Sequence, residues 1–212
     1  MTARAGTEVE AANLALGHLR QPTIANLTDD NTRARAVKLY YATARDAALR
    51  LRWWNFATGW TQPAKATAPR LGPRPNVFPL PPDCVDVRFV QDAEDDDWAV
   101  EAAQADPSGA LVDVKVLVTV ANITAPVVCY TRIIEAPRLW EPDFTLAFSY
   151  LLASLAGNKI GTSATRIKEL KDLADGWRDD ATQADGLESA PTQVSRNTSW
   201  LASRRRGGSV TS

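Results

Sequence analysis

Residues 49–60 read LRLRWWNFATGW, and four large rings, Trp53, Trp54, Phe56 and Trp60, fall within the last eight positions. The chain has sixteen aromatic residues, so a quarter of them stand here. Upstream, Ala34, Val37, Tyr41, Ala44, Ala48 and Leu51 recur at intervals of three and four. That spacing draws one apolar stripe down a helix predicted over 32–53. Downstream, Pro63, Pro69, Pro73, Pro75, Pro79, Pro81 and Pro82 exclude helix and weaken any central strand. The aromatic stretch therefore marks where a long helix hands over to extended chain. Its rings are expected to form a corner of the core that closes the helix and directs the chain outward. Burial of rings this size stabilises by several kcal/mol in total, at about 25 cal/mol per Å2. Rings left in solvent would instead mark a subunit interface or a stacking platform.

Beyond the prolines, β-branched runs take over. The segments VDVRFV, WAVEA, ALVDVKVLVTV and VVCYTRII predict a small antiparallel sheet or half-barrel between residues 76 and 135. The acidic run Glu94, Asp95, Asp96, Asp97 falls between strands. It lacks the alternating ligands and glycine of a calcium loop, so an exposed hairpin tip is expected. Helical periodicity then returns. Pro142 opens PDFTLAFSYLLASLAGNKI, which is apolar on most sides and predicts a central helix. Ile167, Leu170, Ala174, Trp177, Ala181 and Ala184 draw a further stripe over 163–185. A short first helix is predicted over 8–19, stopped by Pro22, with Asp29, Asp30 or Asn31 capping the next. The expected fold is α+β. Residues 1–61 and 136–188 make a bundle of about four helices, residues 62–135 a β insertion, and 189–212 an extended C-terminal tail.

Composition narrows the function. The 212 residues carry a formal net charge of −1, so nothing in the overall balance favours polyanions. Cys84 and Cys129 match no zinc spacing and are expected as reduced thiols in strands. His18 stands alone, without the partners of a catalytic constellation. GNKIGTS at 157–163 lacks the Gly-Lys-Ser/Thr order of a phosphate loop and joins two helices. No metal, cofactor or catalytic residue is predicted. The first residues have no continuous apolar run, so no secretion signal is expected. The most apolar segment, about fourteen residues of the third helix, is too short to span a bilayer. The second helix presents Arg33, Lys38, Arg45, Arg50 and Arg52, and the fourth Lys168, Glu169, Lys171, Asp172 and Asp175. The tail places Trp200 before Arg204, Arg205 and Arg206 in a polar setting that cannot order itself, a pattern expected to order on a partner.

Four motifs, and a fifth near the C-terminal end, then point one way. The start, EVEAANLALGHLRQPTIANLTDDNTRARAVKLYY, sets a short helix, an Ile-x-x-Leu-x-Asp-Asp connector and a long Ala/Arg-rich helix in order. WWNFATGW closes that helix, and FPLPPDCVDVRFV opens a strand. VVCYTRIIEAPRLWEPDFTLAFSYLLASLAGNKI joins a Tyr-bearing strand to a Trp-x-Pro-x-Phe helix start. SWLASRRR ends the chain's distinctive sequence. Together these resemble the head–tail adaptor (connector) proteins of tailed bacteriophages, especially the tubular tail protein A group. The resemblance spans most of residues 8–206 and departs most over 91–120.

The resemblance implies a homo-oligomeric ring, usually of twelve copies. Such a ring sits under the portal protein, extends the DNA channel and offers a platform to a tail or stopper protein. It implies a virion location after assembly in the host cytoplasm, no membrane, and duplex DNA passing without sequence-specific binding. On this reading Arg33, Lys38, Arg45 and Arg50 would meet Glu169 and Asp172 of a neighbouring copy. Trp200 and Arg204, Arg205 and Arg206 would dock on the portal. The rival readings are a helical DNA-binding regulator using the basic face and arginine tail, and an enzyme with a cleft between helices and sheet.

Overall fold

The computed structural model describes residues 6–66, 72–105 and 112–188. It is α+β with about four helices, as the sequence predicts, and the described residues form four helices and two small antiparallel sheets. The tail, including Trp200, Arg204, Arg205 and Arg206, lies outside the described residues.

Helix α1 spans Glu8–His18 and α2 spans Thr32–Leu49. Thr7 and Glu10 cap α1 reciprocally, each side chain accepting the other's backbone N–H. Asn31 caps α2 by accepting from Ala34 N–H at 2.9 Å. The connector between them is held by Asn13, whose side chain bonds both N–H and C=O of Ile24. Helix α3 spans Pro142–Ile160 and α4 spans Ala164–Glu188. Pro142 takes the first helical position, where a missing N–H costs nothing. Gly161, at φ +77°, ends α3 in the left-handed conformation that glycine adopts without a Cβ clash.

Helix α3 is the axis of the bundle. Phe144, Ala147, Phe148, Leu152, Ala153 and Ala156 are fully buried, and α1, α2 and α4 all pack along it. Gly157 lets α4 come close: a Cβ there would lie 2.9 Å from Ile167 Cγ1.

The sequence predicts α2 as far as residue 53, but the helix ends at Leu49. The chain turns at Arg50 and Leu51, and the Trp54 indole folds back to donate to Ala48 O at 2.9 Å. The indole thus joins the Leu51 N–H, at 3.2 Å, on a carbonyl of the last turn.

The β region contains two sheets, not the single sheet or half-barrel predicted. Strands β1 (Thr58–Thr61), β2 (Asn76–Pro79), β3 (Cys84–Val90), β4 (Trp98–Ala105), β5 (Val112–Thr119) and β6 (Val128–Arg132) form orders β1-β6-β3 and β2-β5-β4. Both sheets contribute to one apolar core built from Phe78, Leu80, Val87, Val90, Leu117, Val128 and Tyr130. Strand β1 lies on the bundle side of the boundary expected at residue 61, yet pairs with β6. Strand β2 lies within the proline-rich stretch, outside the four runs predicted as strands. It forms because it is an edge strand, where Pro79 does not interrupt a two-sided ladder, and because Phe78 is fully buried. The acidic run is an exposed short 3-10 turn between β3 and β4, as expected of a loop tip.

Candidate functional site

The passage between bundle and β region is crossed twice, and the two crossings are built alike. In the first, Trp54 donates its indole N–H to Ala48 O, six residues upstream, at 2.9 Å. In the second, Trp140 donates to Ile134 O, again six residues upstream, at 2.8 Å. Both indoles are fully buried, so each N–H requires such an acceptor. Both rings meet Phe144 edge-on, at centroid distances of 5.2 and 4.9 Å. Phe56, half-buried, packs on Phe144 at 5.0 Å, and its backbone N–H donates to Glu141.

Arg88 completes this joint from the sheet. Its Nε donates to Thr131 Oγ1 on β6, one terminal nitrogen to Thr58 Oγ1 on β1, and the other to Trp54 O. One guanidinium thereby ties all three strands of a sheet to the end of the bundle. Sequence reasoning missed Arg88 and Trp140 as joint residues. The repeated six-residue offset before each tryptophan was a usable signal only once both carbonyls were placed.

The predicted core corner divides. Trp54 and Phe56 belong to it, but Trp53 and Trp60 do not, being 43% and 57% exposed. Strand alternation explains Trp60: Gly59 points inward under the Tyr130 ring, so Trp60 points out. Trp53 sits on the turn after α2. Both rings gather around exposed Phe89 of β3, at 6.3 and 5.4 Å, and the Arg88 guanidinium lies 5.9 Å from Trp53.

The predicted inter-subunit cations also divide. Arg45 is turned inward, its side chain 11% exposed, with Asp46 at 3.0 Å and Glu135 at 3.6 Å. Arg50 donates to Val85 O at 3.0 Å, alongside Lys115, whose Nζ donates to Cys84 O and Val85 O. Arg45 thus reaches Asp46 beside it on α2 and Glu135 beyond β6, while Arg50, although exposed, reaches the start of β3, so both have acceptors within their own protomer. Arg33 is half-buried, and its Nε has no hydrogen-bond partner among the described residues. Lys38 is exposed. On α4, Glu169 pairs with Arg166 at 3.0 Å, and Asp172 is exposed.

An open groove of about 780 Å3 runs between α2 and the β2–β3 connection, lined by Asp46, Ala47, Arg50, Leu80, Cys84 and Lys115 among others. Burial pushes the Cys84 thiol up to about 11, against the opposing pull of Lys115. It is therefore protonated at neutral pH and a poor nucleophile. Cys84 and Cys129 are both free and buried, as the sequence reading expects. His18 packs on Tyr150 and bonds Ser149 Oγ at 3.0 Å. Ser149 gives its own proton to Leu146 O, so its oxygen accepts from His18 Nε2. Among the described residues no group of three or more acidic, histidine or cysteine side chains could hold a metal. No helix among them is long and apolar enough to cross a membrane.

Comparison with known proteins finds no matching family model and no matching curated relative.

Proposed function

We propose that this protein is a structural head–tail adaptor of a tailed bacteriophage. Copies of it form a ring under the portal, continue the DNA channel and present a platform to the tail. The observation that carries this reading is the joint. The stretches that resemble the adaptor family, WWNFATGW and the Trp-Glu-Pro-Asp-Phe helix start, are the two crossings between bundle and β region. They meet on one residue, Phe144, with Arg88 tying the sheet to them. A tightly packed, hydrogen-bonded joint between two modules transmits position and load, which a link in a tail needs. An overall charge near neutrality lets duplex DNA slide, where a dense cationic lumen would hold it by counterion release. Portal docking belongs to the C-terminal segment on this reading, through Trp200 and Arg204 to 206.

The DNA-regulator reading has fewer cations to draw on, because Arg45 and Arg50 are engaged within the protomer. Electron microscopy and mass measurement of the purified protein, alone and mixed with portal rings, test the proposal. The expected result is a ring with a central hole, formed alone or on the portal. A lone globule or a two-fold or linear assembly in the presence of portal would overturn it.

A further inference from the structure

The solvent-facing sides of α2 and α4 carry matching patterns of opposite charge. On α2, Arg35, Lys38, Leu39 and Ala42 are exposed and follow the i, i+3, i+4, i+7 spacing of one helix face. On α4, Glu169, Asp172, Leu173 and Gly176 are exposed at the same spacing. Each stripe thus reads charge, charge, leucine, small residue. The two leucines are among the most exposed apolar side chains of the described residues, Leu39 at 61% and Leu173 at 48%. Each lies in a stripe whose other long side chains are charged. Helices α2 and α4 both pack along α3, and among the described residues no extensive contact joins them to each other.

We infer that these two stripes are the two halves of a heterologous interface between copies of this chain. The α2 face of one copy would receive the α4 face of the next in parallel register. That alignment sets Arg35 and Lys38 against Glu169 and Asp172, Leu39 beside Leu173, and Ala42 beside Gly176. The small pair permits close approach of the helices at one end. A shallow groove of about 260 Å3, lined by Thr32, Arg35, Ala36, Leu39 and Lys159, accepts the incoming leucine, and Lys159 adds a third cation. The pairs the charges now make are weak and exchangeable. Arg35 lies 3.4 Å from Asp30 with both side chains largely in water, and Glu169 meets Arg166 at a half-exposed site. Asp46, next along the α2 face, is already paired with Arg45. Lys168, Lys171 and Asp175 lie on the other exposed flank of α4. Two different faces on one protomer propagate a ring or a helix rather than a closed dimer. This inference rests on the ring reading above but names a different contact set from the one the sequence implied, with Arg33, Arg45 and Arg50 removed and Arg35, Leu39 and Leu173 among the residues added.

Two full-length variants test it. One reverses α2 (Arg35→Glu with Lys38→Glu), the other reverses α4 (Glu169→Lys with Asp172→Lys). Each alone should associate at least about tenfold more weakly, because like charges then face one another. An equimolar mixture should regain association, since each variant's faces complement the other's. The unmutated protein's association should weaken with salt. A second readout works where the free protein is monomeric. Leu39→Cys combined with Leu173→Cys, oxidised at high concentration or on portal rings, should give a ladder of covalent oligomers. Either cysteine alone should give no ladder, because the position facing it is then a leucine. Absence of the ladder, or no recovery on mixing, overturns the interface. Electron microscopy separates the two ideas: rings that persist in both reversed variants sink this interface and keep the ring, whereas a ladder of open chains without holes keeps the interface and sinks the ring.

Discussion

Trp54 and Trp60 stand six positions apart in one aromatic run and do opposite things. Truncating Trp54 to alanine removes a fully buried ring and its hydrogen bond to Ala48 O, so it should cost about 3–5 kcal/mol in a denaturant titration. Trp60→Ala should change stability by about 0.5 kcal/mol or less, because that ring is mostly in solvent. Tyr41 provides a test of the opposite sign. It is buried against Phe148 and Trp140, and its hydroxyl has no partner among the described residues. Burial raises its pKa, so the neutral hydroxyl is what the core holds. Tyr41→Phe should stabilise by about 0.5–1 kcal/mol by removing an unpaired polar group. His18 makes stability depend on pH. Burial first, and the Arg166 charge second, lower its pKa below the ordinary 6.5. The unfolded chain then binds the proton more readily than the folded one. The contribution is complete above pH 6.5 and is lost as pH falls through the folded-state value. His18→Gln should flatten that acid-side decline, measured by denaturant midpoints across the range.

At the scale of elements, close approach decides more than propensity. Gly59 on β1 faces the Tyr130 ring of β6, and a Cβ there would fall 2.7 Å from a ring carbon. Gly59→Ala should therefore cost about 1–3 kcal/mol, even though alanine stiffens the unfolded chain favourably. Thermal unfolding of the pair Gly59→Ala and Gly17→Ala separates the causes, since nothing lies within 4 Å of a Cβ at Gly17. The helices and most strands were legible from periodicity because each buries one face. Strand β2 was not, because prolines mask its short alternation and only its edge position makes them tolerable. The end of α2 was misplaced for a related reason: the apolar spacing continues to Leu51, and what stops the helix is an indole returning from beyond it.

For the whole molecule, the joint and the exposed stripes divide the work. The joint holds two modules in one geometry, so a lesion there should reach the entire fold. Arg88→Ala breaks three charged hydrogen bonds to Thr131, Thr58 and Trp54 and should cost about 2 kcal/mol or more by denaturant unfolding. On the adaptor reading proposed above, deleting 190–212 should leave thermal unfolding unchanged and abolish co-sedimentation with portal rings. A truncated protein that still binds portal would remove the docking role.

Sequence alone determined the element order, the central place of α3, and the handover from helix to strand at the aromatic run. Those features follow from local periodicity and from the backbone limits of proline and glycine, which need no distant partner. Only the tertiary structure decided which rings of that run are buried, which arginines of α2 remain outside, and that six strands form two sheets. Each of those outcomes depends on what stands opposite. A tryptophan is core only if Phe144 meets it, and a cation is free only if no carboxylate or carbonyl of its own chain lies within reach. Contacts between residues far apart in the chain set both conditions, and local spacing does not encode them.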